Sequence, residues 1–187
     1  MINRCEWSQK SEIYSKYHDE EWGKPLHDDK KLFEFLILEG MQAGLSWITI
    51  LKKRDSFRIA FENFDVHKVA RFDRQKVEEL MSDSGIIRNR MKIEASINNA
   101  QHFLEVVEEF GSFDRYIWGF VDQKPIINRW TKLSEIPAKT ELSDRISEDL
   151  KRRGFKFVGS TIVYSHLQAT GMINDHLVTC FCHPDNQ

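Results

Sequence analysis

An all-α fold follows from three features of this chain. Apolar residues recur at three- and four-residue spacing over most of its length, Asp residues stand where helices would open, and alternating strand patterns are scarce. The first strong segment opens at Asp28-Asp29, cap and first turn of a helix carrying Leu32, Phe33, Leu36 and Ile37, with Gly40 and Gly44 bracketing its end. Asp55 to Phe64, Asp65 to Arg71 and Asp73 to Met81 each begin with an Asp that can accept from the free amides of a first turn, so they read as short successive helices. From Asn89 to Phe110 the residues Ile93, Ile97, Ala100, Leu104 and Val107 step by four and three, which marks the longest amphipathic helix. Another helix runs from about Leu142 to Arg153 and stops at Gly154, and a last one starts after Ser160-Thr161 and stops at Gly171. Lys124-Pro125 to Pro137-Ala138 reads as an extended connection.

At 187 residues and 41% hydrophobic, the chain is long enough to bury a substantial core, and residues 1–187 are expected to form a single unit. Three cysteines cannot pair fully and Met1-Ile2-Asn3-Arg4 does not resemble a secretory signal, so a reducing cytoplasm is the expected compartment. No apolar run approaches the roughly 18 residues needed to cross a bilayer. A formal charge of −2 gives no general attraction to nucleic acid. Lys52-Lys53-Arg54, Arg88-x-Arg90-x-Lys92 and Lys151-Arg152-Arg153 with Lys156 are nevertheless basic islands that folding could join into one positive face.

Two residue groups carry chemistry. Cys5 and His18 near one end, with His176-x-x-x-Cys180 near the other, make a complete tetrahedral set for structural Zn²⁺. A helical turn would aim His176 and Cys180 at one ion, while Cys182 and His183 stand close enough to substitute as ligands. Such an ion would tie 1–27 and 139–187 into one lobe beside a helical core of approximately 28–138. The second group centres on Glu39, which falls on or beside the apolar side of its helix. Gln42, Leu45 and Trp47 follow within a few residues, and Tyr14, Tyr17 and Trp22 precede it. Rings, one acid and one amide could clasp a flat heterocycle, and aromatic faces favour a cationic one. The stretch from Leu80 through Gly85 to Arg90 further suggests a helix-hairpin-helix within residues 80–92, where free amides with Arg88 and Arg90 would clamp phosphate. Ile87 occupies the place of the usual second glycine.

Taken together, these segments resemble the DNA-3-methyladenine glycosylase I family over nearly the whole chain. The resemblance is carried by Arg4-Cys5-x-Trp7, Tyr17-His18-Asp19-Glu20-Glu21-Trp22-Gly23, Leu38-Glu39-Gly40-x-Gln42-Ala43-Gly44-Leu45-Ser46-Trp47-Ile48-Thr49, Gly85-Ile86-Ile87-Arg88, Arg153-Gly154-Phe155-Lys156-Phe157-Val158-Gly159 and Asn174-Asp175-His176. Met41 departs from the polar residue of that pattern. The resemblance implies zinc on Cys5, His18, His176 and Cys180, and a base pocket of Tyr14, Tyr17, Glu39 and Trp47, with Trp22 assigned to its wall. It also implies a DNA-intercalating segment from Gln42 to Leu45. The expected activity is hydrolytic excision of a flipped 3-methyladenine from double-stranded alkylated DNA by a monomer. Glu105, Glu108 and Glu109 stand where related enzymes carry an Asp, and no pocket lysine suggests itself, so neither a separate general base nor a strand-cleaving step is expected. The alternative is a zinc-stabilised module that binds DNA damage without chemistry.

Overall fold

The computed structural model describes residues 3–187. Its helices are α1 (Glu12–Glu20), α2 (Asp29–Gln42), α3 (Trp47–Ala60), α4 (Val66–Val69), α5 (Arg74–Ser82), α6 (Arg90–Phe110), α7 (Phe113–Gly119), α8 (Glu141–Arg152) and α9 (Ser160–Ala169). Two-residue strands β1 (Ile126–Ile127) and β2 (Ile173–Asn174) pair in parallel and join the extended connection to the chain's last segment. The all-α expectation holds, and Asp28, Asp65, Asp73 and Asn89 accept from first-turn amides as cap residues should.

Helix α2 is the axis of the molecule. It packs against α3, α6, α7 and α9, and its residues from Leu32 to Glu39, with Met41, are buried on every side. A helix enclosed all round leaves its polar residues no route to water, so each must find a partner or a cavity. Glu34 finds Arg54 and Arg58, at 2.7 and 2.9 Å. Glu39 lies one turn further toward the far end, without an arginine. The end of α2 is closed by Lys92 of α6, whose buried ammonium donates to the carbonyls of Met41 and Ala43 at 2.8 and 2.6 Å. Met41 itself is 1% exposed and belongs to the core, so the departure at that position does not alter the molecular surface.

Two sequence expectations are corrected here. Asp55 opens no helix: it lies inside α3, which begins at Trp47 after Ser46 and runs on to Ala60. The Ser46 side chain makes no capping bond; instead the Tyr14 hydroxyl accepts from the Ile48 amide at 3.1 Å, so α3 is capped from α1. His176 and Cys180 are joined by an irregular turn, not a helical one, with the Cys180 amide donating to the Leu177 carbonyl at 2.8 Å.

Candidate active site

The α1 aromatics, the end of α2 and the start of α3 converge on a cavity of about 380 Å³, and residues of α9 and of the 133–136 turn close it. Tyr14, Tyr17, Trp22, Glu39, Gln42 and Trp47 all line it, so six of the residues singled out in the sequence meet in one place. Trp7, Leu133, Ile136, Ser165 and Gln168 line it too and were not anticipated. Trp7 stood inside a quoted motif and could have been found there; it meets Tyr14 edge-on at 5.6 Å and Trp22 at 5.1 Å. Tyr17 and Trp47 stand 5.7 Å apart with tilted rings.

Glu39 is 2% exposed. Burial pushes its carboxyl above the usual carboxylate range, and His166 of α9 partly opposes this. The His166 Nδ1 lies 3.2 Å from the Glu39 Oε2, but the approach is not aligned as a hydrogen bond. That oxygen, both His166 ring nitrogens and the Trp47 indole Nε1 are buried without a hydrogen-bond partner among the described residues. Burial, then the charges of Glu39 and Glu21, raise the Tyr17 hydroxyl well above its ordinary value, so it stays protonated.

Beside the cavity the chain turns sharply from α2 to α3. Gly44 takes φ +76°, a left-handed conformation that costs glycine nothing. The Gln42 side-chain amide donates to the Leu45 carbonyl at 2.9 Å, and Leu45 is left 39% exposed on the turn. An apolar side chain presented by a braced loop can enter an apolar gap at little ordering cost.

The region expected to form the hairpin lies at the connection of α5 and α6, residues 83–89. A Cβ on Gly85 would come within 2.9 Å of the Ser56 Cβ on α3, so the glycine is required by close approach. The Lys53 ammonium donates to the Ser84 carbonyl at 2.8 Å, which ties the first basic island to the 83–89 connection. Several of the basic residues are already partnered, while Lys52, Lys151 and Lys156 are exposed with no ion pair among the described residues. Arg54 pairs with Glu21 and Glu34, Arg90 with Glu78 at 2.8 Å, Arg152 with Asp149, Arg153 with Glu109 and Asp149, and Lys92 is buried. Arg88 is exposed and has no ion pair among the described residues. Glu105, Glu108 and Glu109 are exposed on α6 outside the cavity, Glu105 beside His102 and Glu109 beside Arg153.

Cys5, His18, His176 and Cys180 are all buried and present ligand atoms to one point. The Cys180 Sγ is 3.4 Å from the His18 Nε2 and 3.6 Å from the His176 Nδ1; the two nitrogens are 3.1 Å apart, and the Cys5 Sγ is 3.9 Å from the His176 Nδ1. A tetrahedron built from metal bonds of about 2.0–2.3 Å has edges of roughly 3.3–3.8 Å, so the four residues fit a metal ion. Each imidazole is oriented through its other nitrogen: the His18 Nδ1 by Asp19 at 2.8 Å, itself held by Arg4, and the His176 Nε2 by the Trp22 carbonyl at 2.9 Å. Hydrogen bonding with Cys5, then with His176 and His18, holds the Cys180 thiol well below its ordinary value and favours the thiolate that a metal ion would take. His183 is turned away, its Nε2 toward the Asn128 carbonyl and its Nδ1 toward the Asp185 amide. The Cys182 Sγ reaches only the rear of the His18 ring, 4.0 Å from Nδ1.

The preceding residue, Asp175, ties this cluster to the cavity. Its buried carboxylate accepts from Asn128, Trp130 and Tyr164, and from the Gln168 amide that lines the cavity wall at 2.8 Å.

The methyladenine glycosylase family model matches residues 7–183. DNA-3-methyladenine glycosylase 1 of Escherichia coli (strain K12) is 50% identical over 186 residues, covering 100% of both chains. DNA-3-methyladenine glycosylase of Haemophilus influenzae is 47% identical, covering 97% of this chain and 98% of its own. A variant of 3-methyladenine DNA glycosylase I solved in complex with 3-methyladenine superposes with a TM-score of 0.94 at 39% identity, covering 98% of each chain.

Proposed function

The chain belongs to the methyladenine glycosylase family, and from that premise we propose how its own residues remove an alkylated base. It is a hydrolase of N-glycosidic bonds that excises 3-methyladenine in DNA repair. One observation carries the reading of its site: the Glu39 carboxyl is enclosed in a single cavity with Tyr14, Tyr17, Trp22 and Trp47.

An N3-methylated adenine in DNA carries delocalised positive charge, so its glycosidic bond is already weak and the base departs neutral. Recognition matters more than acid–base force. The nucleotide leaves the duplex at a cost of a few kcal/mol, and Leu45 with Gln42 fills the gap it vacates. Tyr17 and Trp47 stack on the purine, with Tyr14 and Trp22 as walls. Glu39 accepts from the exocyclic amine, and its negative charge in a dry pocket favours the cationic base over ordinary adenine. Water then attacks the sugar. No second carboxylate and no lysine line the cavity among the described residues, which supports hydrolysis without a separate general base and without an amine nucleophile for strand cleavage. Lys92, the buried lysine nearby, is committed to the end of α2.

DNA in duplex form is held through the hairpin amides near Gly85 and through Arg88, with Arg90 in a lesser part because Glu78 already neutralises it. Zinc on Cys5, His18, His176 and Cys180 would supply cohesion between the chain ends, since four protein ligands leave no position for water. Three buried, unpaired cysteines support action in a reducing cytoplasm, and among the described residues no helix is long and apolar enough to cross a membrane. A target that is a lone lesion calls for no second copy, so the enzyme works as a monomer.

The test is release of free base from methylated duplex DNA, followed by chromatography. Rapid liberation of 3-methyladenine is expected. Release no faster than in a protein-free control would leave only the non-catalytic damage-binding alternative.

A further inference from the structure

Behind the cavity, on the side of Glu39 away from any ligand, sits a histidine with no role in the scheme above. His166 is 3% exposed, neither ring nitrogen has a hydrogen-bond partner among the described residues, and its Nδ1 is 3.2 Å from the Glu39 Oε2. The remainder of the ring borders a small apolar void with Leu36, Ile117, Ile146 and Leu150. Two buried polar groups in close contact and otherwise unsatisfied must share a proton, because leaving both bare would set lone pair against lone pair in a low dielectric.

Where that proton sits follows from the surroundings. A proton on Nε2 would face apolar side chains with no acceptor, which disfavours both the Nε2–H tautomer and the doubly protonated cation. A proton on Nδ1 faces a carboxylate. We propose that His166 is a positioning residue for base recognition: as the neutral Nδ1–H tautomer, 3.2 Å from the Glu39 Oε2, it comes into line by a small turn of the ring and donates to that oxygen, keeps Glu39 ionised despite its burial, and leaves Oε1 as the one oxygen free to receive the purine. Burial alone raises the Glu39 carboxyl, and His166 acts in the opposite direction. The other titratable group facing Glu39 is Tyr17 on α1, whose hydroxyl is held protonated, and besides Glu39 itself α2 brings Leu36 toward the imidazole. The α7 and α8 surfaces against His166 are Ile117, Ile146 and Leu150, none of which titrates.

This inference rests on the reading of Glu39 as the base-recognising carboxylate, and its tests divide the two. In the unmodified protein, nitrogen-15 NMR of the His166 ring is expected to show a protonated Nδ1 and a bare Nε2 at neutral pH; the reverse tautomer overturns the proposal whether or not the protein excises any base. His166→Leu removes the donor, and His166→Asn keeps an N–H near the place of Nδ1. For His166→Leu the carbon-13 titration of the Glu39 carboxyl, and the acid limb of the kcat/KM profile for 3-methyladenine release, should both move up by about one pH unit. His166→Asn should return both toward wild type, which a merely structural loss would not do. An unmoved Glu39 titration in His166→Leu sinks the role of His166 alone. A wild-type protein that releases no base sinks the glycosylase reading and leaves the NMR result to decide this one.

Discussion

Replacing Glu39 with Gln should separate stability from function, in opposite directions. The variant keeps shape and one carbonyl oxygen but deletes a charge that burial holds above its ordinary pKa. For a carboxyl raised in the folded state, the protonated form is favoured by folding. Its effect on stability is therefore harmless below the unfolded-state pKa and turns into a cost as pH rises through the folded-state value. Glu39→Gln removes that cost, so the variant should melt higher than wild type at pH 7 to 8, with the gain shrinking as pH falls from the raised value toward the usual carboxylate range and absent below it. Activity moves the other way. A hydrogen bond to a charged acceptor contributes about 1.5–3 kcal/mol against roughly 0.5–1.5 for a neutral one, so the loss at a cationic base is about 1–2 kcal/mol, or roughly 5- to 30-fold in kcat/KM. Thermal melting across pH and base release from methylated DNA measure the two quantities on one preparation. A variant that excises 3-methyladenine at the wild-type rate, or that melts lower at pH 8, refutes the assignment of a strained, ionised carboxylate to the pocket.

Chelation, or Cys180→Ser, should lower the melting temperature by roughly 10 °C while residual folded protein keeps its catalytic rate, as measured by calorimetry beside the base-release assay; loss of activity before any loss of fold would instead make the metal catalytic. Leu45→Ala touches an exposed side chain, so stability should change by less than about 0.5 kcal/mol. Its excision from duplex should fall roughly 5- to 30-fold from about 1–2 kcal/mol of lost apolar burial, with affinity for free 3-methyladenine unchanged by calorimetric titration. Arg88→Ala should weaken DNA binding and reduce the slope of log K against log salt by about 0.9, whereas Arg90→Ala should shift it far less because Glu78 already neutralises Arg90. Fluorescence anisotropy over a salt series distinguishes the two, and equal slopes would remove the hairpin from the interface.

What could be read from the sequence followed from how local its cause was. Asp28, Asp65, Asp73 and Asn89 cap helices through bonds three residues long, and such bonds are visible in the order of residues. Asp55 misled because α3 starts without help from its own N-cap side chain; the missing acceptor, the Tyr14 hydroxyl, comes from 34 residues away. Glu39 announced itself as an acid on an apolar stretch. His166 did not, since a lone histidine on an apolar helix reads as core until its neighbour across the interior is known. The pairing of the arginines in the basic islands was hidden for the complementary reason: Glu21, Glu34, Glu78, Glu109 and Asp149 reach them only after folding. Gln168 offered no sign at all, because its orientation is imposed by Asp175 and by nothing adjacent in the chain.

The joining of Cys5 and His18 to His176 and Cys180 also has a temporal meaning. Trp7, Tyr14, Tyr17 and Trp22 leave the ribosome well before His176 and Cys180, the side chains that help anchor that wall. A nascent chain can therefore assemble the helices around α2 well before it owns a finished base cavity. The cavity wall is anchored only once His176 and Cys180 have been added, so fragments cut short before His176 would carry residues 83–89 and the exposed Leu45 without the completed receptacle.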